Sequence, residues 1–423
     1  MKKKLLALIT SLIFITGLFG VMPMTVSAAD IAIDISNPAP IGAGFIFDGT
    51  KLTLNGAGPY IITGASTTSN IAVDANTDVT VTLQNVNIDV STILSTSAFE
   101  VKTGSVNLNL SGTNTLKSGI AAAGLLVNNG KSVIISGETN DKLTASGGAL
   151  GGAGIGGNPS FSGGDITIIS GTVTANGGSN GAGIGGSSSA SGGNITISGG
   201  TVTAAGGDYA AGIGGGHMGS GGVIKIADGS NVTALSDGMK PAIDDTDSDI
   251  APTPGTAATI LMANFSELQP INTSFEVGTG GTNTFTPEVA YKSIAMTVPE
   301  GTYNVFAGGI KQQHATDTYP SLDFAAAVNK LNIFNLVKAL TYADVTFNMQ
   351  GHGTAIEKQT VLSGSLVTKP SDPSAAGYAF GGWYTESACT TPWNFAADKV
   401  TANKELFAKW TAATYAITVS YLP

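Results

Sequence analysis

Short stretches of the chain alternate apolar and polar residues with a period of two. Val79-Thr80-Val81-Thr82-Leu83, Val106-Asn107-Leu108-Asn109-Leu110, Ile166-Thr167-Ile168 and Ile195-Thr196-Ile197 are the clearest. Successive side chains of an extended strand point to opposite faces, so each stretch predicts a strand with aliphatics inward and Thr or Asn outward. The first residues of seven such strands, Leu52, Val79, Val106, Val133, Ile166, Ile195 and Ile224, recur at intervals of 27, 27, 27, 33, 29 and 29 residues. A second short strand is expected after each main one, at Val86, Leu116, Leu143, Val173, Val202 and Val232. A third is expected before each, at Val73, Val101, Val127, Ile155, Ile184 and Ile213. Three inward-facing strands per repeat predict an all-β chain. Its main body is a right-handed parallel β-helix of about seven turns over residues 31–243. At a strand spacing of ~4.8 Å the stack is about 30 Å long. A helical solenoid would need a 3.6-residue period, and a propeller four strands per ~40-residue blade; neither fits.

The later turns carry extra length in glycine-rich arms. Ala153-Gly154-Ile155-Gly156-Gly157 returns at Ala182 and again at Ala211, within arms running from Gly151 to Gly164, Gly177 to Gly193 and Gly206 to Gly222. Glycines clustered in this way predict turns that need positive φ. Asn158, Phe161, Asn180, Asp208, Tyr209 and His217 are the variable residues of these arms and the candidate carbohydrate contacts. Their amides, carboxylate and hydroxyl suit sugar hydroxyls, an aromatic can stack on a sugar ring, and variable loops on a rigid scaffold commonly carry function. The bland reading of the Thr and Asn rows is ordinary solvent-facing strand positions.

The arm motif, followed by Gly163-Gly164-Asp165-Ile166-Thr167-Ile168 and Gly171-Thr172-Val173-Thr174-Ala175, resembles a family of exported bacterial carbohydrate-binding β-helix domains. The resemblance covers roughly residues 45–240. It implies the fold and a polysaccharide ligand, acidic and of plant or cell-wall origin, and it assigns no contact residue. Further along, Val345-Thr346-Phe347-Asn348, Gly377-Tyr378-Ala379-Phe380-Gly381-Gly382-Trp383-Tyr384, Trp393-Asn394-Phe395 and Leu406-Phe407-Ala408-Lys409-Trp410 occur in order. That string resembles the Listeria–Bacteroides, or internalin-type B, repeat over residues 345–411. It implies a β-grasp-like module of a bacterial surface protein, with a protein partner as a further expectation. Trp393, Trp410, Phe380 and Phe407 are expected in its core, and Trp383-Tyr384 either there or as an exposed contact platform.

Between these regions, residues 244–256 read as an acidic, proline-containing linker. Its aspartates Asp244, Asp245, Asp247 and Asp249 are the candidate ligands for calcium, because alternating carboxylates suit a hard cation. They lack the fixed Gly and terminal Glu of the helix-loop-helix calcium loop, and a solvated linker is the simpler reading. Residues 257–344 are expected to form a small β domain plus connector, with Phe324 to Leu340 open to helix or strand. Residues 412–423 read as a terminal strand or the start of a further module.

Composition narrows the function. Met1-Lys2-Lys3-Lys4, an apolar run and Val26-Ser27-Ala28 predict a secretory signal peptide over residues 1–29 and no membrane span. Removing its three lysines takes the formal charge from −10 to −13, and every one of the 19 basic residues is lysine. An acidic chain without arginine is a poor partner for nucleic acid. The single cysteine, Cys389, excludes an internal disulfide and reads as a packing residue. Catalysis is not expected: Asp165, Asn194 and Val223 occupy equivalent strand positions, so carboxylates do not stack in neighbouring turns as polysaccharide hydrolysis would require. The leading expectation is therefore a non-catalytic, exported polysaccharide-binding protein, with an adhesin or structural stalk as the alternative.

Overall fold

A computed structural model of the chain describes residues 30–246, 259–277, 283–298, 301–308, 310–314, 324–326, 331–338 and 342–414. The predicted signal peptide, Asp247, Asp249 and the terminal strand from residue 415 lie outside them. Two compact units emerge: Met1–Thr273 with Thr286–Thr302 and Ala325–Phe334, and Ser274–Phe285 with Tyr303–Phe324 and Asn335–Pro423.

The first unit holds a β-solenoid of about seven turns. Parallel pairing joins Val79–Asp89, Ser105–Ser111, Ser132–Ser136, Asp165–Ile168, Asn194–Ile197 and Val223–Ile226 in sequence. Val79, Val106, Val133, Ile166, Ile195 and Ile224 stack as one buried column. Burying such a side chain stabilises by ~1.5–3 kcal/mol relative to exposure, so the continuous column rather than any single contact holds the turns together.

Register departs from the expected repeat at three places. Leu52 is not above Val79; it opens a different column on a nine-stranded face, paired with Ile71, then Phe99, Leu125, Ile155, Ile184 and Ile213. Leu125, not Val127, is therefore level with Ile155. On the remaining face, Leu116 is level with Ala145, and Asn114 takes the place beside Leu143, Val173, Val202 and Val232. Asn114 is 0 % exposed among aliphatics. It is tolerated because its Oδ1 accepts from the Val86 amide at 2.9 Å and its Nδ2 donates to the Lys142 carbonyl at 3.2 Å.

The glycine-rich arms are ordered stacks rather than loose turns. Gly157 N donates to Gly185 O at 2.9 Å, Gly186 N to Gly214 O at 2.8 Å, and Gly163 N to Ser191 O at 3.0 Å. Positive φ explains some of the glycines, as expected: Gly156, Gly185 and Gly214 have φ of 137°, 128° and 130°. Close approach explains others. A Cβ on Gly152, whose φ is not in the left-handed region, would lie 1.8 Å from the Ala122 carbonyl oxygen.

The last turn ends in a reversal of strand direction. Asn231–Ser236 pairs antiparallel with Tyr291–Thr297, which pairs antiparallel with Ile260–Gln269. Ile260, Met262 and Ala295 join the same buried cluster as the solenoid columns. Two strands of the region expected to form a separate small domain thus close the solenoid instead. Within the region left open between helix and strand, Phe324–Ala326 and Leu331–Lys338 are strands.

In the second unit, Ile356–Leu362, Tyr342–Asn348, Lys404–Ala412 and Tyr378–Tyr384 form a four-stranded sheet in that order. Its central pair is parallel and the outer pairs antiparallel, with no helix among the described residues. Trp383 is 2 % exposed, with its ring centroid 5.0 Å from Phe347 and 5.5 Å from Phe380. It is a core residue, not a platform. Trp410 and Trp393 pack partly buried against the same cluster, and Trp410 Nε1 donates to Met349 O at 3.0 Å. Cys389 is buried, and Gln350 Nε2 donates to its sulfur at 3.0 Å.

The Tyr384–Trp393 loop is organised by Glu386. Its carboxylate accepts from the Thr385 hydroxyl, from the Thr390 hydroxyl at 2.6 Å, and from the Thr391 and Thr390 amides at 2.7 Å each. These donors, led by the Thr385 hydroxyl, hold its pKa down at about 2, against an ordinary value of 4.5. A depressed carboxylate contributes stability that is complete above its unfolded-state value and lost as pH falls through the folded one. The loop is therefore expected to loosen as pH falls from about 4.5 through about 2. Tryptophan fluorescence against pH should show this step in the wild type and lose it in Glu386→Gln.

Candidate functional site

The arms and the neighbouring glycine corners build one exposed surface from residues 29 positions apart. Asn180 and Tyr209 are equivalent corner positions, and both adopt left-handed backbone, with φ of 67° and 63°. Asn180 N donates to Asp208 O at 3.0 Å, and His217 N donates to Asn180 O at 2.9 Å. The Tyr209 ring lies 5.2 Å from the His217 ring at 45°. Asp208 Oδ2 accepts from the Ser179 hydroxyl at 3.1 Å, and the Tyr209 amide donates to Asp237 Oδ2 at 2.9 Å. Four of the six candidate contacts thus come together: Asn180, Asp208, Tyr209 and His217. Tyr209 is 45 % exposed, with its backbone held from both sides.

The other two candidates sit elsewhere in the same unit. Phe161 is 57 % exposed on the first arm, and its amide donates to Asn158 O at 2.8 Å. Asn158 turns inward: its Oδ1 accepts from the Ala123 amide at 2.7 Å and from the Ser97 hydroxyl at 3.3 Å. It lines a pocket of about 270 Å³. Lys51, Asn70 and Glu100 also line it, and sequence reasoning missed all three. They come from different turns, and no repeat interval links them to Asn158.

Two of the four aspartates proposed for calcium are part of the last solenoid turn. Asp244 pairs with Lys240 at 2.6 Å, and Asp245 Oδ1 accepts from the Ile224 amide at 3.1 Å. Among the described residues, no three His, Cys, Asp or Glu side chains are grouped to hold a metal ion. Asp165 and Asn194 do stack, and Asn194 Nδ2 donates to Asp165 Oδ1 at 2.7 Å. That carboxylate is engaged by an amide, with Val223 next in the column.

Both repeat types have counterparts among known proteins. Residues 344–409 match the Listeria–Bacteroides repeat domain, and residues 166–188 and 195–217 match the beta helix repeat. A protein of Evansella cellulosilytica named as a Gly-rich membrane protein is 28 % identical over 167 residues, covering 38 % of this chain and 18 % of its own length. A second, named as a membrane protein of the same organism, is 28 % identical over 152 residues, covering 35 % and 22 %. Internalin H of Listeria monocytogenes is 33 % identical over 112 residues, covering 26 % and 18 %. The chain spans about a fifth of the length of these curated relatives. Among the described residues no helix is long and apolar enough to cross a membrane. A β-solenoid joined to a Listeria–Bacteroides repeat, with similarity to an internalin, points to a surface or extracellular protein.

Proposed function

We propose that the solenoid is a non-catalytic polysaccharide-binding surface of an exported protein. The observation that carries this reading is the exposed Tyr209 ring beside His217, held on stacked backbone with Asn180 and Asp208 around it. A pre-set aromatic face with amide, carboxylate and imidazole groups at its edge suits a hydroxylated ring, because little side-chain order is lost on binding. An acidic glycan would meet a chain of formal charge −13 once the predicted signal peptide is removed, so calcium is expected to strengthen its retention. Adhesion to a protein through the C-terminal module is the second reading, favoured by the similarity to Internalin H.

The test is retention of the mature chain on insoluble and gel-embedded polysaccharides, polygalacturonate included, with calcium and then with chelator. Tyr209→Ala is expected to weaken retention by roughly fivefold, the equivalent of ~1 kcal/mol for one aromatic contact, with an unchanged melting curve. Absence of retention on every glycan would overturn the polysaccharide reading and favour adhesion.

A further inference from the structure

We infer that the pocket beside the nine-stranded face is a second, separate binding site, and that it takes one neutral hydroxylated ring such as a hexopyranose. It stands on its own geometry and does not depend on the Tyr209 surface. On this face the strands Lys51–Leu54, Asn70–Val73, Phe99–Val101 and Leu125–Val127 run parallel, with Leu52, Ile71, Phe99 and Leu125 pointing inward. The residues between them point outward, away from the core: Ala72, Glu100 and Leu126 form one row. An outward row would ordinarily be exposed, yet Ala72 and Leu126 are buried. Leu126 packs against Ala123 and Ala153, and Asn158, whose Oδ1 accepts from the Ala123 amide and the Ser97 hydroxyl, ties the Ser97 segment to that cover. The space left beneath is about 270 Å³. That lies just under the usual range for small-molecule sites and suits a single ring rather than a chain.

The chemistry of the walls selects the ligand. Asn70 is 3 % exposed, and its Nδ2 donates to the Ser97 carbonyl at 3.0 Å. No protein donor reaches its Oδ1 among the described residues, and none of their acceptors takes the Asn158 Nδ2 hydrogens. One wall therefore offers a free amide oxygen and a free amide N–H₂. Lys51 and Glu100 add one cation and one anion at a loose 3.6 Å, so the pocket has donors and acceptors of both kinds and no net charge. Leu126 and Ile93 supply an apolar patch. Vicinal hydroxyls can each donate and accept, which matches this mixture, while a ring's C–H face matches the patch. A carboxylated sugar would gain Lys51 and be opposed by Glu100.

Saturation-transfer NMR and calorimetry on the mature chain would test this with the methyl glycosides of glucose, galactose, mannose and N-acetylglucosamine, and with galacturonate as the charged comparator. At least one neutral glycoside should bind saturably, and more tightly than galacturonate. Thr68 is an exposed residue on the pocket rim, so Thr68→Trp should block entry without disturbing the core. It should weaken binding at least tenfold; Glu100→Gln should weaken it severalfold, and Tyr209→Ala should leave it unchanged. Saturable binding of none of the four neutral probes by the folded chain would overturn the inference. So would binding that survives Thr68→Trp, or tighter binding of galacturonate. Polysaccharide retention that depends on Tyr209 but not on Thr68 would support the surface reading alone. Hexoside binding without polysaccharide retention would support the pocket alone.

Discussion

Gly185→Val is expected to destabilise the solenoid by about 3 kcal/mol or more, through strain and collision acting together. The φ of Gly185 is 128°, a conformation that L side chains rarely adopt. Its Cβ would lie 2.2 Å from the Gly214 carbonyl oxygen in the next turn. That oxygen accepts from the Gly186 amide at 2.8 Å, and Gly185's own carbonyl accepts from Gly157 at 2.9 Å, so neither neighbouring turn can withdraw without breaking a hydrogen bond. Gly130→Val provides the control. Gly130 has a φ of 78° and open space around it, so only the left-handed penalty of ~1–2 kcal/mol applies there. Urea unfolding of the two variants separates the effects. Equal shifts in midpoint would refute close approach as the reason for glycine at position 185.

Trp383→Ala is expected to unfold the C-terminal module while leaving the solenoid transition in place. Removing a buried tryptophan costs about 3–5 kcal/mol, and a module of this size has a total stability of only ~3–10 kcal/mol. Trp383 sits among Phe347 and Phe380, within the module's own buried cluster of Val345, Leu406 and Ala408. The solenoid columns form a different cluster. Hydrogen exchange should therefore show lost protection over residues 342–414 and retained protection in the main strands. Cooperative loss of both would mean that the two cores depend on one another.

The strands and their inward faces were legible because β-branched residues at period two have one favourable solution, a half-buried strand. The levels of those strands were less so. A shift by two residues keeps every aliphatic facing inward, so periodicity alone cannot choose between Leu125 and Val127 or between Asn114 and Leu116. A polar residue in the column misled further: Asn114 looks like an outward position until Val86 and Lys142 are seen to satisfy it. The candidate surface was partly legible for a related reason. Where the repeat is a regular 29 residues, Asn180 and Tyr209 fall in one column and His217 comes beside them. Asn158 lies in the first arm, 29 residues before Ser187, but its partners Ser97 and Ala123 lie at intervals the repeat does not supply. The pocket it covers could only be found in three dimensions.

The reversal at the last turn has a consequence for how these molecules meet one another. A parallel stack has an identical repeating edge at every level, and an open final strand would template the first strand of another copy, extending end to end as fibres do. Here Asn231–Ser236 presents its edge to Tyr291–Thr297, running the opposite way. Those hydrogen-bonding groups are already spent within the chain. On this face the final strand is a closed edge rather than an open one, so it offers no template for the first strand of another copy.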